Sequence, residues 1–236
     1  MALRVGNLGI DPPVLVAPMA GITDAPFRRL VRRFGAGACF TEMAGSREIL
    51  RGDAKAAGRA ALDPEELAGP DLVGVQIAGR EPGAVAEAAR VAEAAGARLI
   101  DLNMGCPAKK VTGGLSGAAL MRDEALAARL VEAAAAAVSV PVTVKMRLGW
   151  ESLTAPSLAR RAVEAGAKAV TVHGRTRAQL YAGRADWGAV RAVVEAVAAP
   201  VIVNGDVRDA ASARRALAES RSEERRVGKE CFLLCR

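Results

Sequence analysis

Seven short apolar runs rich in β-branched residues recur along the chain, each followed by a stretch of helical period: Val14–Pro18, Ala38–Met43, Leu72–Ala78, Arg98–Asn103, Val140–Met146, Ala169–His173 and Pro200–Asn204. Their starts lie about 31 residues apart on average, the span of a strand, a helix and their connections. Runs with almost no polar alternation suit strands buried on both faces of a parallel sheet. Between them, Phe27, Leu30, Val31 and Phe34 fall at i, i+3, i+4 and i+7 with Arg28, Arg29, Arg32 and Arg33 interleaved, and Trp187, Val190, Val194 and Val197 repeat the pattern. Gly96 and Gly166 stand where helices should stop, and Asp209 where one should start.

Repeated strand–helix units build either an open doubly wound sheet or a closed (β/α)₈ TIM barrel. The placement of polar residues separates the two. Met19, Glu42, Gln76, Asn103, Lys145, His173 and Asn204 sit at the C-terminal ends of nearly all the runs. An open sheet needs functional groups only on the strands flanking its switch point, whereas in a barrel every strand end meets on one face. The expected architecture is therefore an incomplete TIM barrel with about seven βα units in residues 1–220. Residues 221–236 break the repeat with dense mixed charge followed by Cys231 and Cys235. They are expected to be a non-native tail, with strand eight and anything beyond it missing from the chain.

Composition excludes several classes. The longest uncharged apolar stretch, Ala133–Val144, has 12 residues and contains Pro141, whereas a membrane-spanning helix needs about 20. Asp11, Pro12 and Pro13 interrupt any secretory pattern near the N-terminus. Four cysteines without an export signal point to the reducing cytoplasm. Aromatic residues make up 3% of the chain, too few for rows of base-stacking rings. The formal net charge is +7, of which residues 221–236 carry +2 (five basic side chains against three acidic). The remaining surplus permits a polyanionic partner, and scattered arginines on helix faces give the same count.

The densest cluster of unusual residues runs from Asp101 to Met121. A strand delivers Asn103, then Gly105, Cys106 and Pro107 turn the chain, and Gly113, Gly114 and Gly117 keep the next loop thin. A lone cysteine after a strand is ordinarily inert; on a Gly-Cys-Pro turn at the mouth of a barrel its thiol can serve as nucleophile, base or general acid. Lys145 ends a buried strand, where an ammonium needs an anionic or electron-rich partner. His173 is the only histidine, and it is either a structural residue or a ligand contact. No second histidine and no cysteine pair in the body supports a zinc site. Neither a Gly-x-Gly-x-x-Gly after the first strand nor a Walker pattern is present. Asn204-Gly-Asp-Val lies where barrels commonly begin a phosphate site, or it is an ordinary strand-to-helix turn. In Pro18-Met-Ala-Gly-Ile-Thr-Asp-Ala-Pro-Phe-Arg28, Thr23 or Asp24 caps the first helix, Pro26 stands in its first turn and Met19 offers a soft apolar surface.

Taken together, that segment, Val-Gln-Ile-Ala-Gly around Gln76, Asn-Met-Gly-Cys-Pro-Ala-Lys-Lys-Val around Cys106, Val-Lys-Met-Arg-Leu-Gly around Lys145, the His173-Gly-Arg-Thr-Arg segment that runs on to Trp187, and Val-Asn-Gly-Asp-Val around Asn204 resemble the tRNA-dihydrouridine synthases, the bacterial B-type subgroup in particular. The likeness runs from about Val5 to Ala218. It implies an FMN-containing (β/α)₈ barrel followed by a helical domain that grips tRNA, with NADPH as reductant and a monomeric full-length form. It implies flavin contacts from Pro18, Met19, Ala20, Gln76, Lys145, Asn204, Gly205 and Asp206, joined by His173, and it implies Cys106 as proton donor. The family's final Gly-Arg flavin-phosphate contact and its helical domain have no counterpart here.

The chemistry expected on that basis is reduction of uridine to 5,6-dihydrouridine. The C5=C6 bond of uracil is conjugated to the C4 carbonyl, so it accepts hydride at C6 and a proton at C5. Lys145 then stabilises charge at the flavin edge, Asn103 meets the uracil edge, and Lys109, Arg175 and Arg177 reach the base or nearby phosphates. Two rivals use the same residues: a flavin-dependent dihydropyrimidine or dihydroorotate-type dehydrogenase, and an inactive truncated fragment. The Arg175–Arg177 segment and the Lys109–Lys110 pair favour a polyanionic substrate over a free base.

Overall fold

The computed structural model describes residues 3–70 and 72–221, and the backbone of residues 232–234. A hairpin of β1 (Leu3–Val5) and β2 (Leu8–Ile10) pairs antiparallel ahead of the repeat. The chain then alternates strand and helix. First come β3 (Val14–Val16), α1 (Ala25–Arg33), β4 (Ala38–Phe40) and β5 (Ala44–Gly45), then the short helices α2 (Ser46–Leu50), α3 (Ala54–Ala60) and α4 (Pro64–Ala68). Next are β6 (Leu72–Ala78), α5 (Pro82–Ala94), β7 (Ile100–Met104), α6 (Lys109–Thr112), a 3₁₀ turn over Gly117–Arg122 and α7 (Glu124–Ala137). β8 (Val142–Arg147), α8 (Ala155–Glu164), β9 (Ala169–His173), α9 (Trp187–Ala196), β10 (Val201–Asn204) and α10 (Ala210–Ser220) follow, and β11 (Phe232–Leu234) ends the described chain.

The large sheet is parallel throughout, in the order β10-β9-β8-β7-β6-β4-β3-β11, with β5 pairing β6 beside β4. Seven of these strands coincide with the seven apolar runs, and the curled parallel sheet with intervening helices is the incomplete TIM barrel that the repeat predicts. β11 comes from the segment expected to be a non-native tail: Phe232 pairs with Val14, Leu233 with Leu15 and Leu234 with Val16. The open edge of β3 is a row of unpaired N–H and C=O groups, and an apolar Phe-Leu-Leu triplet is a ready partner for it.

Local chemistry sets the element ends. Asp24 accepts from the Phe27 N–H at 3.0 Å and Pro26 sits in the first turn of α1; Asp123, Asp186 and Asp209 cap α7, α9 and α10 in the same way. Gly96 and Gly166 leave α5 and α8 with φ of 95° and 111°, a backbone that a side chain would strain. Every residue of β6, β7 and β9 is buried, as parallel strands covered on both faces must be. Outside them, α5 packs on α7, α7 on α8, α8 on α9 and α9 on α10. Alanines such as Ala88, Ala89, Ala134, Ala159 and Ala162, wholly buried, provide the close approach. The interior of the sheet is not all apolar: Gln76, Asp101, Asn103, Thr143 and Thr171 are buried there.

Candidate active site

A cavity of about 610 Å³ opens at the C-terminal ends of β3, β6, β7, β8 and β9. That volume lies in the range of sites that hold small molecules and cofactors. Period-two alternation aims the wall residues: Asn103 and Lys145 are register partners on β7 and β8, and Gln76 and His173 come from β6 and β9. The turn after β3 contributes Pro18, Met19 and Ala20, and the turn after β7 contributes Cys106 and Lys109. Arg177 reaches the wall from the loop after β9. Ten of the residues expected from sequence therefore border one space, Cys106 and Lys145 among them.

The floor is a hydrogen-bonded row of polar side chains. Gln76 Nε2 donates to Asp101 Oδ2 at 2.6 Å, and Thr143 Oγ1 donates to Asp101 Oδ1 at 2.7 Å. Asn103 Nδ2 donates to Gln76 Oε1 at 2.9 Å, and Asn103 Oδ1 accepts from the N–H groups of Gly105 (3.2 Å) and Cys106 (2.9 Å). Burial pushes the Asp101 carboxyl up to about 6, against the opposing pull of the Gln76 and Thr143 hydrogen bonds and the Lys145 charge.

The opposite wall is cationic. Lys145 is half-buried, and no ion pair of its ammonium occurs among the described residues. Arg147, two residues further along the same face of β8, is buried. Its Nε donates to the Gly105 carbonyl at 2.9 Å and its Nη1 to the carbonyls of Thr176 (3.0 Å) and Leu180 (2.7 Å), and its guanidinium lies 5.4 Å from the Tyr181 ring centroid. Burial first, then the charges of Lys145, Arg147 and Arg175, drive the His173 imidazole down to about 2 despite the opposing effect of its hydrogen bond with the Asn204 side chain. The ring is neutral at any physiological pH.

Four expected site residues stand behind the wall rather than on it. Arg175 is buried, and its guanidinium donates to the carbonyls of Ala182 and Gly183 and to Asp206 Oδ2. Asp206 also accepts from the Ala185 N–H at 2.7 Å, and its carboxyl is held below the usual range: those hydrogen bonds and the Arg175 charge overcome the opposing effect of burial, the largest single influence. The Gly205 carbonyl accepts from the Trp187 indole at 2.8 Å, and Asn204 is buried against His173. A guanidinium whose donors are taken up by carbonyls and a carboxylate has little left for a phosphate, so these residues tie the loop after β9 to the end of β10. Conversely, sequence alone does not single out Arg147, Asp101, Met43 or Tyr181. For the first two the alternation of Val-Lys-Met-Arg and Ile-Asp-Leu-Asn is a usable signal, since each shares a face with a residue already chosen.

A family model of dihydrouridine synthases matches residues 15–231 of the chain. The "Probable tRNA-dihydrouridine synthase" of Rhodobacter capsulatus is 55% identical over 231 residues, covering 97% of this chain and 70% of that relative.

The chain belongs to the dihydrouridine synthase family.

The tRNA-dihydrouridine synthase B of Xanthomonas axonopodis pv. citri is 44% identical over 229 residues, with 96% of this chain and 68% of that relative covered. Among solved structures, a protein described as a lactate oxidase of Pediococcus acidilactici superposes with a TM-score of 0.61 at 20% identity, over 98% of this chain and 64% of that one. That likeness speaks to the barrel alone. In this dihydrouridine synthase chain no group of three His, Cys, Asp or Glu among the described residues is placed to hold a metal ion. No described helix is long and apolar enough to cross a membrane.

Proposed function

We propose that the chain reduces uridine to 5,6-dihydrouridine in tRNA, with FMN as the bound flavin and NADPH as its reductant. The observation that carries this reading is that Cys106 and Lys145 border one cavity at the C-terminal mouth of a dihydrouridine synthase barrel. The family is flavin-dependent, and the residues fit a flavin. Met19 and Met43 give soft apolar surface for a flat ring, Lys145 has no carboxylate partner of its own within ion-pair reach among the described residues, and Arg177 adds positive charge at the rim. Pro18, Met19, Ala20, Gln76, Lys145 and His173 would hold the ring.

A reduced flavin, when bound, would supply the hydride that uracil accepts at C6. The Cys106 thiol gives its proton to C5 as that carbon gains electron density, and takes one back from solvent before the next turnover. Asn103, already committed to the Cys106 turn through Oδ1, keeps the thiol at a fixed height above the base. Lys145 favours negative charge on the ring beside it. Neutral His173 packs without adding a charge, and Lys109 and Arg177 meet the backbone around a base drawn out of its stack. The cytoplasm, where tRNA resides, is the compartment this reading implies, with the full-length enzyme acting as a monomer.

The test is direct. Purified chain should show flavin absorbance, and supplied with NADPH and unmodified tRNA it should form dihydrouridine. Turnover of orotate or free uracil with none on tRNA would overturn the reading in favour of a free-base dehydrogenase, and folded protein that holds no flavin would favour an inactive fragment.

A further inference from the structure

Among the described residues, Asp101 is the buried carboxylate of the barrel interior that the proposed chemistry leaves unused. Gln76 on β6, Asp101 on β7 and Thr143 on β8 are register partners, so their side chains form one row across three neighbouring strands. Asp101 and Gln76 are each 1% exposed.

The row has a direction. A carboxylate accepts and does not donate, so Asp101 obliges Gln76 to turn its NH₂ toward it, at 2.6 Å. The Gln76 carbonyl is thereby left facing β7, where it accepts from Asn103 Nδ2 at 2.9 Å. Asn103 in turn has only its carbonyl to offer the backbone N–H groups of Gly105 and Cys106. Each amide is ambiguous by itself, because exchanging its O and N changes nothing in shape. The charged end of the row resolves both.

We propose that Asp101 is a positioning residue: its carboxylate sets the polarity of the Gln76–Asn103 amide relay and so fixes the turn that presents Cys106 to the cavity. An amide at position 101 would lose that authority. It could donate to Gln76 Oε1, Gln76 would then donate to Asn103, and Asn103 would aim an NH₂ at two backbone N–H groups that need an acceptor. The meaning of the relay for turnover rests on Cys106 being the proton donor, whereas its effect on the turn does not.

The experiment follows alkylation of Cys106 by iodoacetamide in the purified chain, read on the Cys106 peptide by mass spectrometry. It needs neither flavin nor tRNA, so a failed uridine-reduction reading and a failed relay give different results. In Asp101→Asn the thiol should react about fivefold faster or more, the factor that a lost net hydrogen bond represents. Combining Asp101→Asn with Gln76→Glu should bring the rate back to within about twofold of the original, a difference smaller than one net hydrogen bond produces. The carboxylate placed at position 76 would accept both from the amide placed at position 101 and from Asn103, and so restore the direction of the row with no change in size. A folded Asp101→Asn chain with the original rate, or a double variant that reacts as fast as the single one, overturns the proposal. Should Asp101→Asn not fold, the double variant decides alone: folding with the original rate supports the relay, and failing as the single variant does refutes it.

Discussion

His173 Nε2 lies 3.3 Å from Arg175 Nη1. Because a guanidinium nitrogen only donates, Nε2 is the acceptor and the ring proton resides on Nδ1, in accord with the imidazole's descent to about 2. Nuclear magnetic resonance of the His173 ring should therefore show no titration step near the ordinary value of about 6.5; a step there would remove the assignment. Unfolded chain takes up this proton below about 6.5 and folded chain does not until about 2, so the stability tied to His173 is complete above the upper value and declines as pH falls below it. In His173→Gln, the difference in unfolding free energy from the original protein should shrink between neutral and acid pH. A difference that stays constant would mean that the ring takes up its proton at the same pH in folded and unfolded chain.

Cys106→Ala should keep its flavin, because the residues proposed to hold the ring, Pro18, Met19, Ala20, Gln76, Lys145 and His173, are left in place. Loss of a general acid typically lowers the rate by about 10²–10⁴-fold. The measurement is dihydrouridine formed per flavin under single-turnover conditions, with absorbance confirming the cofactor. Undiminished product formation at full flavin loading would take the proton-donor role from this residue.

A buried ion pair holds the first loop of the cavity. Arg28 and Glu66, 1% and 4% exposed, meet through two hydrogen bonds of 2.8 and 2.6 Å, and Arg28 Nη1 also donates to the Thr23 carbonyl at 2.8 Å. Thr23 in turn bonds Met19 through its N–H and hydroxyl. Glu66→Ala leaves the guanidinium buried without its carboxylate, at a cost of about 3–5 kcal/mol. Denaturant titration should show that loss, and flavin should dissociate faster as the Met19 segment loosens. A cost under about 1 kcal/mol, the scale of an exposed pair, would mean that the pair is relieved by water.

The barrel is legible in the sequence because its strands are buried on both faces, so Leu72–Ala78 and Ala169–His173 announce themselves as largely apolar runs and are observed over those same residues. The hairpin of Leu3–Val5 and Leu8–Ile10 is not, since three residues are too few for alternation to register. The five-residue helix after Asp63 is equally obscure, being held by its capping box and by the Arg28–Glu66 pair rather than by an apolar stripe. Site residues that touch the cavity carried a signal because a polar group at a buried strand end has no packing reason to be there. Arg175 and Asp206 carry the same signal for another reason: they satisfy each other. One-dimensional patterning does not distinguish a charge awaiting a ligand from a charge already paired.

Arg147 joins the two sides of the mouth, since one guanidinium serves Gly105 beside Cys106 and also Thr176 and Leu180 across the cavity. The fork geometry matters here, because a lysine ammonium is a point donor on a flexible stem and cannot hold three carbonyls at these separations. Arg147→Lys should therefore keep the charge yet strand buried acceptors, at a cost on the order of 2–3 kcal/mol. The loop 176–181, whose Tyr181 ring loses the cation 5.4 Å from its centroid, should become the earliest site of proteolytic nicking. Turnover on tRNA should fall through a raised KM more than through kcat if the loop serves to receive RNA. Proteolysis and kinetics unchanged from the original protein would show that the loop stands without the arginine.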